Sequence, residues 1–448
     1  MDAVREAGCW TNSGGTVADL AVAEQLAVSG AAVNAGTYAI VPSGAVSSTK
    51  ALSFVNGTLT INRAPLTITA TDQTHVYGTP FVFTGSEFTS SGLLTGDTIG
   101  SVTLTPGGNA ATSSVGGGPY AIVPSAATGG TFSTGNYNIT YVNGAMTVTQ
   151  APLTVRASDQ SHAYGSTLSL AGTEFTSSGL KNGETIGSVT LTAGGNTVTS
   201  DVASSPYAIL PSAATGGTFS AGNYNITYTS GTMTVNPAAV TVTANNGSHG
   251  YGSPLAFAGT EFSTSGLKNG DTIGSVTFTA GGNTAISSVL GGPYSIVPSA
   301  ATGGTFVPGN YAITYVNGTM TVNPASLTIA ANNQSHPYGS IFTFTGTEFT
   351  PTGLKNGETV GAVSLSAGGN TATSTVLGGP YAISASNPTG GTFDPNNYSI
   401  AFQSGVMSVT RAPLTISAIG DFKTYGVLFV LSDLSTFAFN TSGLKNGE

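Results

Sequence analysis

The sequence predicts an all-β protein. It reads as a tandem array of small antiparallel β-sandwich (Ig-like) domains of 87 residues in an elongated chain, with β-grasp-like units as the alternative. Three observations carry that expectation. Short segments alternate apolar and polar residues, and no long stretch shows a helical period. Glycine makes up 63 of the 448 residues and clusters between those segments. The same dipeptides return at a fixed interval.

The interval is 87 residues. Tyr-Gly stands at Tyr77-Gly78, Tyr164-Gly165, Tyr251-Gly252, Tyr338-Gly339 and Tyr425-Gly426. Asn-Tyr stands at Asn136, Asn223, Asn310 and Asn397, and Pro-Tyr at Pro119, Pro206, Pro293 and Pro380. A period without drift implies that most of each unit is structured, because free loops tolerate insertions. The expected organisation is an atypical segment at 1–30, a partial repeat at 31–62, and whole repeats at 63–149, 150–236, 237–323 and 324–410. A truncated repeat follows at 411–448, expected to pack incompletely because it lacks the closing segment. The chain reads as a piece of something longer.

Within 63–149 the elements follow in order. "PLTITAT" alternates Leu66, Ile68 and Ala70 against threonines, as a half-buried strand does. "HVYG" ends it, with Gly78 at positive φ. "FVFTG" reads as a second strand, "SSGLLTGDT" as turn, and "IGSVTLT" as a third strand. "PGGNAATSSVGGG" reads as loop, "PYAIVPSA" as a strand and "ATGG" as a turn.

"NYNITYVNGAMTVT" closes the unit. Asn143-Gly144 is a strong signal for a type I′ hairpin, which needs positive φ at both central residues. That loop places Tyr141 opposite Met146 and Ile139 opposite Val148. Tyr137, Ile139, Tyr141, Met146 and Val148 then share the apolar face. The same expectation pairs Tyr228 with Met233, Tyr315 with Met320, Phe402 with Met407 and Phe54 with Leu59. Four of the five methionines occupy this one position, which marks them as core. The junction to the next repeat is about four stiff residues ending near Pro152, so neighbours swing little, and each unit adds about 35–40 Å to a row.

Charged residues are 6% of the chain, against an average of about 25%. Solubility therefore rests on Ser, Thr, Asn and Gly, the style of extracellular bacterial β-repeats. Net charge is −9 and no basic stripe exists, which argues against nucleic acid as a partner. A single cysteine, Cys9, excludes an intrachain disulfide framework and a cysteine-based zinc site. No stretch approaches the roughly 18 consecutive apolar residues of a membrane helix. Ala18–Val28 is interrupted by Asp19 and Glu24, so it reads as a short amphipathic helix rather than a signal peptide.

The pattern "APLTITATDQTHVYG … GLLTGDTIGSVTL … GPYAIVPS … GNYNITYVNGAMTV" resembles MBG-type repeats of the Tyr-Gly variety, and YDG-type repeats are similar. The resemblance covers residues 31–448. It implies a secreted or cell-surface protein of bacteria and a monomeric stalk segment of a filamentous-haemagglutinin-like adhesin. Host glycan or a surface protein is the partner class. It carries no catalytic residues. The last unit departs from the pattern, with Lys423 where the others have histidine.

The candidate chemistry is sparse. His75, His162, His249 and His336 each precede a Tyr-Gly by two residues and are spaced a full period apart, which suits a strand-end histidine bonded locally. Asp72 lies near His75, and the third repeat has asparagine instead. Glu87 and Asp97 recur as Glu174 and Glu184, Glu261 and Asp271, and Glu348 and Glu358. These carboxylates are candidate Ca²⁺ ligands, weighed against a turn-capping role because no dense Asp/Asn run accompanies them. Lys181, Lys268, Lys355 and Lys445 precede asparagine in "LKNGE", the residue pair of an isopeptide bond, although they lie in a polar loop and the first repeat has Leu94. Phe88, Tyr120, Phe132, Tyr137 and Tyr141 are either a sugar platform or core, with core favoured by parity. Trp10 lies outside the repeats. No enzyme is expected, and no cofactor beyond that Ca²⁺ candidate.

Overall fold

The computed structural model describes residues 25–28, 32–420, 422–428 and 439–448. Cys9 and Trp10 lie outside the described residues, as does most of Ala18–Val28. The described end of that segment, Gln25–Val28, is a strand (β1), not a helix. It pairs antiparallel with β2 (Gly36–Ser43), which pairs in turn with β3 (Gly57–Ile61).

The interval 63–149 holds seven strands: β4 (Ala64–Ala70), β5 (Gln73–Val76), β6 (Phe88–Ser91), β7 (Ile99–Pro106), β8 (Tyr120–Gly130), β9 (Tyr137–Val142) and β10 (Gly144–Thr149). They form two sheets, in the orders β6-β4-β9 and β5-β10-β8-β7. The chain is therefore all-β, with small two-sheet, sandwich-like repeats in tandem, as expected. The sheets are mixed rather than antiparallel. β4 pairs parallel with β9, and β5 pairs parallel with β10.

That pairing overturns the closing hairpin. β9 and β10 belong to different sheets, and neither Asn143 nor Gly144 has positive φ. Gly144 is needed for a different reason. A Cβ there would lie 2.5 Å from the Ala70 carbonyl oxygen, so the crossing strand fits against β4 only without a side chain. Met146 faces Tyr120 of β8 instead of Tyr141, and the pairing repeats as Tyr207 with Met233, Tyr294 with Met320 and Tyr381 with Met407. Near the start, Leu59 faces Tyr38 rather than Phe54. The parity survives the wrong partner. Tyr137, Met146 and Val148 are buried, and the four methionines Met146, Met233, Met320 and Met407 are 0% exposed.

Other elements also shift. "FVFTG" is not a strand; Phe81 and Phe83 instead meet edge to face at 4.9 Å and cover a small core of Ala70, Ile122 and Met146. The neighbouring strand is β6, within "EFTSS". β8 runs on through "ATGG" with a bulge opposite Val102, where Ala126 takes φ 45°. The junction is shorter than four residues. β10 ends at Thr149 and the next strand begins at Ala151, leaving Gln150 between them.

The chain divides into two compact units. One comprises the described residues through Gln160 with Leu168–Gly195 and Pro206–Thr234, and the other the remainder, so the division runs through 150–236. At the C-terminal end, Thr415–Ala418 pairs with Phe439–Ser442 alone, and Ile416 and Phe439 are 63% and 60% exposed. Among the described residues this pair has no third strand. No helix among the described residues is long and apolar enough to cross a membrane.

Candidate functional site: the seam between repeats

The Tyr-Gly turn follows β5. Gly78 has φ +86°, the left-handed conformation expected of it, and a Cβ there would lie 2.6 Å from Lys181 Cβ of the next repeat. Glycine is thus required twice, by the turn and by the lysine stem that lies over it. Gly165 and Gly252 meet Lys268 and Lys355 in the same way. These lysines are half-buried or exposed, and their asparagine neighbours are engaged elsewhere. Asn182 Nδ2 donates to the Ala111 carbonyl at 3.3 Å, Asn269 to Val198 at 2.8 Å and Asn356 to Ala285 at 3.0 Å. The "LKN" loop is a clasp on the preceding repeat, without the buried lysine that an isopeptide bond requires.

Beside the clasp sits a carboxylate between two tyrosines. Tyr77 donates its hydroxyl to Glu184 Oε1 at 2.6 Å, and Tyr224, from the Asn-Tyr motif of the second repeat, donates to Oε2. The two rings meet edge to face at 5.5 Å. Asp271 accepts from Tyr164 at 3.1 Å and Tyr311 at 2.7 Å. Glu358 accepts from Tyr251, and from Tyr398 at 2.5 Å. The asparagine of each Asn-Tyr completes the joint. Asn223 Oδ1 accepts from the Val115 amide, Asn310 from Val202 and Asn397 from Val289, each at 2.9 Å. Tyr77 and Val148 are thereby built into a core with Leu153, Val155 and Tyr224 of the following repeat.

Burial and the facing carboxylate both favour the neutral phenol. Burial, then the hydrogen bond to Glu184, pushes Tyr224 up to about 12, and burial with Asp271 does the same for Tyr311. Tyr77, Tyr251 and Tyr398 are raised for the same reasons.

The two members of each acidic pair therefore do different work. Asp97, Glu184, Asp271 and Glu358 receive tyrosine hydroxyls. Glu87, Glu174, Glu261 and Glu348 fold back onto turns of backbone amides. Glu174 accepts from the amides of Ala171, Gly172 and Thr173 at 3.0, 2.9 and 3.1 Å. The Ala171 amide leads in holding the Glu174 carboxyl below its ordinary range. At Glu87 burial pushes upward, and the Thr84 hydroxyl and amide outweigh it. Among the described residues no three His, Cys, Asp or Glu side chains cluster as a metal site would require.

The histidines are buried and bonded to backbone. His75 Nε2 lies 2.8 Å from the Gly108 carbonyl, and His249 and His336 sit 2.9 and 2.7 Å from Gly282 and Gly369. Asp72 does not serve His75. Its Oδ1 accepts the Ala145 amide at 2.7 Å, and Asn246 accepts that of Thr319 at 2.8 Å. Of the aromatic candidates, Phe132 and Tyr137 are buried and Phe88, Tyr120 and Tyr141 half-buried, so packing describes them better than a sugar platform does.

Sequence reasoning missed the seam tyrosines, asparagines and glycines as a set. The signal was present: Tyr-Gly, "GLKNGE" and Asn-Tyr share one period.

Comparison with known proteins agrees with the repeat. No curated protein matches the chain. Among solved structures, the I9–I11 tandem of titin is 10% identical over 59% of this chain and 98% of its own, at a TM-score of 0.17. Drosophila N-cadherin EC1–4 is 9% identical over 65% and 83%, at 0.18, and the Bacillus anthracis TIE protein is 9% identical over 87% and 74%, at 0.17. None of these superpositions is close enough to inform fold or function. The family model described as MBG domain (YGX type) matches residues 66–147, 153–234, 240–321 and 327–408, most of the chain, and the protein belongs to that family.

Proposed function

We propose that this chain is a structural stalk or spacer of an exported bacterial surface adhesin, holding a distal binding part away from the cell. One observation carries the reading. Three of the recurring motifs join each repeat to the next: Tyr77 and Gly78 from one side, Lys181, Asn182, Glu184, Asn223 and Tyr224 from the other. A catalytic or ligand-binding repeat would spend them on a shared cleft. Here the number of repeats sets reach and the seam sets stiffness. The reading requires no metal or cofactor, and it places the chain outside the cell as a monomeric segment.

Multivalent weak binding of host glycan or protein is the competing reading. Solution scattering from the whole chain, with a glycan array probed by the same preparation, separates the two. A stalk gives a particle lengthened by about 35–40 Å per repeat and no retained glycan. A compact profile sinks the stalk, and micromolar glycan binding replaces it with the competitor.

A further inference from the structure

We propose that each repeat is a shear-loaded lock, built so that tension along the chain meets all of its terminal pairing at once. The proposal deepens the stalk reading and rests on it for the source of the load. The lock itself is a property of strand pairing and is measurable without that reading.

The chain enters the first repeat at Ala64 and leaves it at Thr149. The entering arm, β4 then β5, runs beside the leaving arm, β9 then β10. Pairing begins at Ala64 with Tyr137 and continues to Thr69 with Val142 in one sheet. It resumes at Gln73 with Met146 and runs to Val76 with Thr149 in the other. The sequence separation is 73 residues at both ends of both ladders. The arms thus change sheets together without losing register. Asp72 bridges the crossing by accepting the Ala145 amide, again 73 residues away. The Tyr77 amide then adds a bond to the Thr149 carbonyl at 2.9 Å.

The arms are parallel, so pulling Ala64 backward and Thr149 forward slides one along the other. Hydrogen bonds lying across the direction of pull share the load, and the barrier to forced unfolding contains many of them together. An antiparallel closing hairpin would open from one end, bond by bond. The same arms occur at Ala238–Gly250 with Tyr311–Asn323 and at Ala325–Pro337 with Tyr398–Thr410. The crossing is bridged there by Asn246 and Asn333, each accepting an amide at 2.8 Å.

The test stretches the whole chain by its ends in single-molecule force spectroscopy. Equally spaced rupture peaks are expected. Each releases the 86 residues from Ala64 to Thr149 or their equivalents, about 290 Å of contour at about 3.4 Å per residue, less the folded length. A second pull is applied through Pro65→Cys and Asn138→Cys in a Cys9→Ala background. These neighbouring exposed residues lie at the same ends of the two arms, so the ladder peels. The first repeat then opens at several-fold lower force under equal loading rate. Equal forces in both directions, or extension of the unsubstituted chain without peaks, overturns the proposal. A compact scattering profile with the peaks intact would sink the stalk alone.

Discussion

Tyr251 and Tyr425 are the same motif residue in two settings. Tyr251 is 4% exposed, edge to face with Tyr398 at 5.5 Å and donating to Glu358. Tyr425 is 101% exposed. Tyr338 lies between them: it donates to Glu448, lacks an Asn-Tyr ring beside it, and is half-buried. The Tyr-Gly turn is common to the three, with Gly252, Gly339 and Gly426 all at positive φ, so the turn alone does not bury the ring. The following repeat does. The Tyr-Gly tyrosine is made by one repeat and used in the core of the next, and its contribution exists only where both halves of the seam are present.

The sharpest way to break that comparison is to remove a ring from a closed seam. Tyr251→Ala is expected to cost about 3–5 kcal/mol, as for other large aromatic deletions from a core, whereas Tyr425→Ala stays within about 0.5 kcal/mol. Denaturant titration of the two variants measures the contrast, and comparable losses would deny that the following repeat supplies the burial. A finer cut separates the turn from the packing. Gly252 and Gly426 both have positive φ, at +89° and +91°, but a Cβ meets Lys355 at the first and nothing within 4 Å at the second. Gly426→Ala is expected to cost about 1 kcal/mol in left-handed strain. Gly252→Ala adds the displaced lysine stem and costs about 1–2 kcal/mol more, in line with overpacking. Identical costs by thermal unfolding would assign the whole requirement to the turn.

The smallest effect is a pH dependence. Tyr224 and Tyr311 are raised in the fold to about 12, from about 10 in unfolded chains. Their contribution is whole below about 10 and is lost as pH rises through the window to about 12, because the unfolded chain ionises first. Ultraviolet titration of tyrosinate should show a late-ionising class that contains Tyr224 and Tyr311. A single class near 10 would contradict the seam.

How much of this was legible follows from range. Alternation fixes faces residue by residue, so Leu66, Ile68, Met146 and Val148 are correctly placed inside from parity alone. Partner strands are another matter. β4 finds β9 at a separation of 73 residues, and nothing local encodes a parallel pairing at that distance. The Asn-Gly signal then offered a plausible local partner. Its glycine serves a close approach to the Ala70 carbonyl, which a sequence cannot distinguish from a need for positive φ. The acidic positions divide by the same range. Glu87 is satisfied within its own turn, but Glu184 is satisfied by a tyrosine 107 residues away and one 40 residues away.

That spacing has a consequence for how such a chain changes length. The links from Tyr77 to Glu184, Tyr164 to Asp271 and Tyr251 to Glu358 all span 107 residues, one period of 87 plus 20. Recombination that deletes or duplicates one period anywhere among the whole repeats restores every tyrosine to an acid at the same offset. The number of repeats is therefore free to vary in whole steps with no contact to reinvent, and the joint itself admits a small change of offset, since Tyr338 reaches Glu448 across 110 residues.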